Sequence, residues 1–154
     1  MRRLLIAAAM TAAVLPGAAA LADPLDDAIK ARRGYFTLLG ANVGPLAAMA
    51  KGDIEYDAET AELHASNLGA LTFYNPVPHF PAGSDNDAKF GDTRALPVIW
   101  DDLDGFLGKY QDMVEAVSAL QGAAGEGRAA LGPALGEVGG TCKACHDDYR
   151  AKDF

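Results

Sequence analysis

Apolar residues recur at alternating steps of four and three positions in three stretches of the chain. The stretches begin near residues 25, 99 and 131, and Arg32 is a charged exception within the first. Such spacing keeps one face of a helix turned toward partner helices, so each stretch predicts a packed helix. The members are Leu25, Ile29, Arg32, Phe36, Leu39, Val43, Leu46 and Ala50, then Ile99, Leu103, Phe106, Tyr110, Met113, Val117 and Leu120, and finally Leu131, Leu135, Val138, Cys142, Cys145 and Tyr149.

Capping residues predict the helix ends and add a fourth helix. Asp23 before Pro24 is typical of a helix start, because the carboxylate can cap and proline tolerates the first helical position. Residues 51–53 should end that helix. Asp57 should cap a weaker second helix, whose small-residue face consists of Ala58, Ala61, Ala65, Leu68 and Leu71. Four helices predict an all-α fold, an antiparallel up-and-down four-helix bundle.

The remaining segments supply a long loop and two irregular positions. Residues 75–93 are rich in proline and glycine, and Pro97 should lie in the first turn of the third helix. Pro133 falls within the last pattern, so the fourth helix is expected to start later or to bend there. Gly139 and Gly140 lie in the middle of that helix, where missing side chains would let a flat cofactor approach the backbone.

The first 22 residues are predicted to be a signal peptide. Arg2 and Arg3 precede an apolar run, and small residues ending at Ala22 follow it. A transmembrane anchor is the competing interpretation, but the run is broken by Pro16 and Gly17. It is also too short, since a helix that spans a membrane needs about 20 apolar residues. We therefore expect export to the periplasm, no membrane insertion, and one mature domain covering residues 23–154.

The charge balance of the mature chain limits its partners. Without Arg2 and Arg3 it has 11 basic and 21 acidic residues, a net charge of −10. Such acidity argues against binding to nucleic acid and to anionic lipid surfaces.

The chemistry of the sequence lies in residues 142–146, Cys-Lys-Ala-Cys-His, which match the C-x-x-C-H pattern of haem attachment. The thiols of Cys142 and Cys145 can form thioethers to the two vinyl groups of one porphyrin. His146 can then reach the iron as an axial ligand. The sequence predicts one covalent haem c near the C-terminal helix.

Other uses of two cysteines fit less well. A thioredoxin-like redox pair is expected in a βαβ context, whereas this segment is predicted to be helical. A zinc site needs a fourth ligand, and the other histidines are His64 and His79. A structural disulfide between positions three apart would close a loop too small to constrain the unfolded chain much.

The place of the motif restricts the sixth iron ligand. Residues 147–154 contain no methionine or histidine, so any such ligand is expected from upstream, across the bundle.

Four blocks of sequence together resemble the cytochromes c′, the class II cytochromes c. These are Arg32-Arg33-Gly34-Tyr35-Phe36, Tyr56-Asp57-Ala58, Ile99-Trp100, and residues 139–150 around the haem motif. The resemblance implies a homodimer of four-helix bundles with five-coordinate, high-spin haem. It also implies binding of nitric oxide and carbon monoxide.

The resemblance further implies roles for four side chains. Phe36 would cover the distal face of the haem, its alternative being an ordinary core residue, and in both cases we expect it to be buried. Arg32 would pair with a haem propionate, its alternative being a side chain that extends to solvent at the edge of the helix face. Arg150, one turn beyond His146, would lie in the proximal pocket, its alternative being a favourable cation in the last turn of a helix. Trp100 would pack near the haem edge or the propionates, or simply fill the core.

The sequence favours a periplasmic gas-binding haem protein that turns over no organic substrate and exchanges electrons with an unidentified redox partner. A low-spin electron carrier is the alternative, with His64, Met49 or Met113 as sixth ligand. A peroxidase-like enzyme is less favoured, because peroxide cleavage benefits from a distal acid–base pair and helix one offers Phe36 there.

Overall fold

The first helix begins and ends where its capping residues predict. The structure is a computed structural model that describes residues 23–153, so the predicted signal peptide lies outside the described residues. Helix α1 runs from Pro24 to Lys51, and the Asp23 carboxylate accepts from the Leu25 N–H at 3.0 Å. Gly52 ends the helix with a φ of 81°, a left-handed conformation that glycine adopts without strain.

Three more long helices complete the framework. Helix α2 spans Ala58–Thr72, and Asp57 caps it by accepting from the Thr60 N–H at 2.8 Å. After a 3₁₀ turn at Val77–His79 and a long loop come a four-residue helix α3, Val98–Asp101, and then α4, Leu103–Ala123. Helix α5 spans Arg128–Tyr149.

The four long helices pack as a ring of neighbours. Helix α1 contacts α2 and α5, while α4 contacts α5 and α2. The four-helix bundle predicted from the 4-3 spacing is therefore confirmed. Within residues 23–153 no β-strand forms, and an isolated antiparallel bridge joins Ala95 to Arg150. None of the described helices is long and apolar enough to cross a membrane.

Two predicted helix boundaries were wrong. The third helix was expected to be continuous from Pro97, but Asp102 interrupts it with φ −131° and ψ 57°. The Asp102 carboxylate caps α4 by accepting from the Gly105 N–H at 3.2 Å. The fourth helix starts earlier than its apolar pattern, at Arg128, and runs through Pro133.

Apolar side chains form two clusters. The larger fills the bundle and includes the fully buried Leu46, Leu68, Leu120 and Leu131. The smaller, at the end of the bundle that holds the α5 C-terminus, consists of Ala95, Ile99, Phe106 and Tyr149, with Phe80, Trp100 and Cys145 packed against it.

Candidate functional site

A cavity of about 370 Å³ opens beside the smaller cluster. Its walls come from the middle of α1, the loop before α3, α3 itself, the first turn of α4 and the C-terminal end of α5 with the residue that follows it. Aromatic and aliphatic side chains make most of the wall, and several arginines lie among them. The lining residues are Arg32, Arg33, Phe36, Thr37, Phe80, Asp92, Thr93, Arg94, Ala95, Ile99, Phe106, Cys145, His146, Tyr149 and Arg150.

Helix α5 brings the predicted attachment residues to this cavity. Cys145 and His146 line it, whereas Cys142, one turn earlier, packs against the larger apolar cluster. Both thiols are free. Burial raises the pKa of Cys142, and burial together with Cys142 raises the pKa of Cys145 to about 11. Burial therefore disfavours the thiolate form of both sulfurs, which lie at the junction of the two clusters.

His146 is held in the form that binds metals. Burial lowers its pKa, and the positive charges of Arg150 and Arg94 lower it further. A neutral imidazole has a free lone pair for a metal, which a protonated ring lacks. Arg150 lines the same cavity, as the sequence spacing predicted.

Arg32 anchors the loop that forms one wall. Its Nη1 donates to the His79 carbonyl at 3.1 Å and to Ser84 Oγ at 2.7 Å. Its Nη2 donates to the Ser84 carbonyl and, at 2.7 Å, to Thr93 Oγ1. The guanidinium also lies 4.6 Å from the centre of the Phe80 ring. All four terminal N–H groups are thus used, and the Nε–H remains as the fifth donor.

The charge of Arg32 is not neutralised by these bonds. The side chain is 3% exposed, and burial lowers its pKa to about 10, an effect that Asp85 partly opposes. No ion pair among the described residues includes it. A buried cation surrounded by neutral oxygens favours an anion in the adjoining cavity. Arg33, Arg94 and Arg150 add positive charge to the same walls.

Comparison with known proteins finds relatives that match nearly the whole chain. A family model described as Cytochrome C′ matches residues 27–150. The chain belongs to the cytochrome c′ family. The cytochrome c′ of Cereibacter sphaeroides is 50% identical over 152 residues, covering 99% of both chains. A solved structure described as cytochrome c′ from Rhodobacter sphaeroides has a TM-score of 0.82 and 48% identity, and covers 84% of this chain and 99% of that one.

Two further solved cytochromes c′ have descriptions that bear on function. One is the nitric oxide complex of a point mutant from Alcaligenes xylosoxidans, with 32% identity and a TM-score of 0.72 over 83% of this chain and 97% of that chain. The other is described as having ligand-controlled dimer dissociation; it is 26% identical, with a TM-score of 0.76 over 86% of this chain and 100% of that chain.

The cavity of this cytochrome c′ suits the haem c that its family carries, one per chain and covalently attached. A porphyrin is flat and apolar except for its two propionates. The aromatic and aliphatic side chains of the wall suit the macrocycle. The two thiols suit its vinyl groups, and the buried guanidinium of Arg32 suits a propionate. Since its four terminal N–H groups hold the loop, Arg32 would bind a propionate through Nε or by exchanging one existing bond. When bound, the haem would supply a redox-active iron.

Phe36 differs from its expectation in one respect. It lines the cavity on α1, as a distal covering residue should, but it is not buried: the side chain is 40% exposed. Its ring faces the cavity rather than the bundle core, and it packs edge-on against the buried Tyr35 with ring centres 5.3 Å apart. The 4-3 spacing could not distinguish a residue that faces the core from one that faces a cavity.

Trp100 does not line the cavity, although its neighbour in sequence, Ile99, does. It is half-buried against the smaller cluster, and its indole N–H donates to the Phe80 carbonyl at 3.0 Å. Phe80, not Trp100, forms the wall. Gly139 and Gly140 are exposed, and a Cβ on either would meet no atom within 4 Å, so no contact in the structure explains their interpretation as a place of close approach.

The three alternative iron ligands lie elsewhere. Met49 and Met113 are buried in the larger cluster. His64 lies between α1 and α2, with Nδ1 3.0 Å from the Asn42 side-chain oxygen. His79 contributes its carbonyl to Arg32 and stacks its ring on Tyr74. Residues 23–153 also contain no group of three or more histidine, cysteine, aspartate or glutamate side chains able to hold a metal ion, which leaves the zinc interpretation unsupported.

Sequence reasoning missed two contributors to the site. Tyr149 was placed on a helix face but given no role, although it follows Cys145 by four positions and so shares its face of α5. Its hydroxyl donates to Asp102 Oδ2 at 2.6 Å. Arg94 lies in the loop, where no periodicity marks a residue as part of a site; it donates to the Lys152 carbonyl at 2.9 Å.

Proposed function

We propose that this cytochrome c′ is a periplasmic haem protein with a five-coordinate, high-spin iron that binds diatomic gases. Cys142 and Cys145 carry the thioethers and His146 is the one axial protein ligand. Nitric oxide is the principal gas, and scavenging or storage of it, with one-electron redox at the iron, is the role. No organic substrate is turned over.

One observation carries this proposal. Among the residues that line the cavity, His146 is the one histidine, and there is no methionine. Phe36, whose ring cannot ligate iron, comes from α1 to the same cavity. The Phe36 ring crowds the space beside it, so that space admits a diatomic molecule more readily than a bulky ligand. A nitric oxide complex of a 32% identical cytochrome c′ supports the choice of gas.

Optical spectra of the ferric and ferrous protein test the proposal. We expect high-spin spectra in both states, and carbon monoxide should bind the ferrous iron without displacing a protein ligand. The low-spin electron carrier would instead give six-coordinate spectra. In that case one of three variants, His64→Gln, Met49→Leu or Met113→Leu, should convert the spectrum to high spin and so identify the ligand.

Covalent attachment has its own test. Haem should stay with the polypeptide in acidic organic solvent, and a double variant with Cys142→Ser and Cys145→Ser should release it. Complete extraction from the unmutated protein would contradict thioether bonding.

Export and assembly complete the proposal. The signal peptide 1–22 predicts a mature protein from the periplasm that begins at or near Asp23, which mass spectrometry can check. A homodimer is supported by the related cytochrome c′ described as a dimer that dissociates under ligand control. Sedimentation of the ferrous protein should give twice the chain mass, and a monomer at all concentrations would contradict it.

A further inference from the structure

One hydrogen bond joins the break between α3 and α4 to the end of α5. The Tyr149 hydroxyl donates to Oδ2 of Asp102 at 2.6 Å, while Oδ1 of the same carboxylate accepts from the Gly105 N–H at 3.2 Å. A single side chain therefore starts α4 and fixes a tyrosine on another helix. An isolated helix cap would need the second of these bonds alone.

Helix α4 is shaped to let this bond form. A Cβ added at Gly105 would lie 2.3 Å from Asp102 Oδ2 and 2.5 Å from the Tyr149 hydroxyl oxygen. Atoms this close would overlap, so an alanine at this position would have to displace the two hydrogen-bonded side chains. Gly108, one turn further on, has no atom within 4 Å of an added Cβ. The crowding therefore occurs at Gly105, beside the hydrogen bond, and not one turn further along α4.

The tyrosine held in this way faces the haem site. Tyr149 lines the cavity, and its ring packs edge-on against Phe106 with centres 5.5 Å apart. Its carbonyl accepts from the Leu96 N–H at 3.0 Å, which ties the backbone as well. Because Tyr149 follows His146 by three positions, both side chains lie on the same side of α5.

We propose that Asp102, acting through Tyr149, is a positioning residue for the haem site. The hydrogen bond fixes the ring that bounds the cavity beside His146. It thereby sets the orientation of the His146 imidazole and the space available to a ligand on that side of the iron. The first effect requires only the haem c of the family, and the second rests on the proposed gas binding.

Proton NMR of the ferric holoprotein tests the first effect, since the unpaired electrons of iron shift the haem and axial-ligand resonances. We expect altered shifts for His146 and the haem substituents in Tyr149→Phe and Asp102→Ala, and in Gly105→Ala, which drives a methyl group into the bond. Asp102→Asn keeps an acceptor oxygen and should lie closer to the parent. If Gly105→Ala does not fold, Tyr149→Phe decides alone, because it removes one oxygen atom.

Two control variants separate positioning from general stability. Tyr56→Phe removes a buried hydroxyl that bonds to the Ala124 carbonyl at 2.7 Å and the Gly127 N–H at 2.9 Å, away from the cavity. Gly108→Ala adds the same methyl group one turn from Gly105. Neither should move the haem resonances. If Tyr149→Phe and Asp102→Ala also leave them unmoved, and merely lose stability as Tyr56→Phe does, the positioning role is overturned.

Nitric oxide tests the second effect. After nitric oxide is added to the ferrous protein, the spectrum of the complex should change from six-coordinate to five-coordinate. We expect this change to be several-fold faster in Tyr149→Phe and Asp102→Ala than in the parent or the controls. Equal rates would overturn this part of the proposal. Failure of the parent to bind nitric oxide at all would instead overturn the proposed function, and the NMR comparison would still decide the positioning role.

Discussion

Arg32 brings a full positive charge into the wall of the cavity, where neutral oxygens surround it. Hydrogen bonds to carbonyls and hydroxyls satisfy its donors but leave its charge uncompensated. One side chain consequently serves two ends: it fixes the loop through residues 47 to 61 positions away, and it makes the cavity attractive to a propionate. The loop and the cofactor are linked through the same guanidinium.

We expect Arg32→Leu to loosen the loop and to alter the reduction potential of the haem. Each buried oxygen left without its donor should destabilise the fold by about 1–3 kcal/mol. Arg32→Lys should recover part of this, because an ammonium has three donors but cannot span the same partners. Urea unfolding, redox titration and hydrogen exchange of residues 79–93 measure the effects. Arg33→Leu is the control, since its bond to the Asp92 carbonyl is exposed; equal losses in the two variants would contradict the anchoring role.

A pH dependence follows from Tyr149. Its hydrogen bond to Asp102, with burial adding, raises its pKa to about 12. The folded protein then holds the phenol proton more tightly than the unfolded chain does, so the stabilisation is complete below about pH 10 and is lost as the pH rises toward about 12. We expect the unfolding free energy to fall more steeply over this window in the parent than in Tyr149→Phe. Parallel curves in urea unfolding would show that the bond is unimportant.

At the scale of the elements, helix ends here are set by individual residues with special conformations. Gly52 is left-handed, and a Cβ there would also lie 3.0 Å from the Arg128 side chain. Gly40, in the same helix, has open space around it and an ordinary helical conformation. The two glycines should therefore respond in opposite directions to the same substitution.

We expect Gly52→Ala to destabilise the fold by about 1–2 kcal/mol, the usual difference for a left-handed non-glycine residue. Gly40→Ala should stabilise it by about 0.5–1 kcal/mol, because alanine has less backbone freedom to lose on folding. Thermal and urea unfolding of the holoprotein measure both. Similar changes of the same sign would mean that Gly52 does not depend on its conformation.

Sequence predicted the elements well where local signals decide them. Asp23, Gly52 and Asp57 lie where the caps were expected. The 4-3 spacing identified the packed faces of α1, α4 and α5, apart from the exposed Phe36 and Leu103. The break at Asp102 was missed because the 4-3 spacing continues across it from Ile99 to Leu103. The partners of Arg32 were likewise beyond reach, because loop residues carry no periodicity. The attachment motif was readable because its chemistry requires fixed spacing.

For the whole molecule, the division into two apolar clusters separates stability from the site. No member of the larger cluster lines the cavity, whereas the smaller cluster forms part of its wall. Substitutions of equal size should therefore have equal effects on folding and unequal effects on the haem.

Leu131→Ala and Ile99→Ala test this division. Both side chains are almost fully buried, and each truncation should cost about 2–5 kcal/mol. We expect Leu131→Ala to leave the haem spectrum and carbon monoxide binding unchanged, and Ile99→Ala to alter both. Spectral changes of equal size in the two variants would show that the clusters act as one.

The two cysteines belong to different clusters, Cys142 to the larger and Cys145 to the smaller. A porphyrin bonded to both thiols is therefore attached to α5 at the point where the two clusters meet. Small changes inside the folded larger cluster should leave the haem spectrum unchanged, but complete unfolding removes the surroundings of both thioethers at once. Since the chromophore cannot leave the chain, its absorbance should follow global unfolding without an added label.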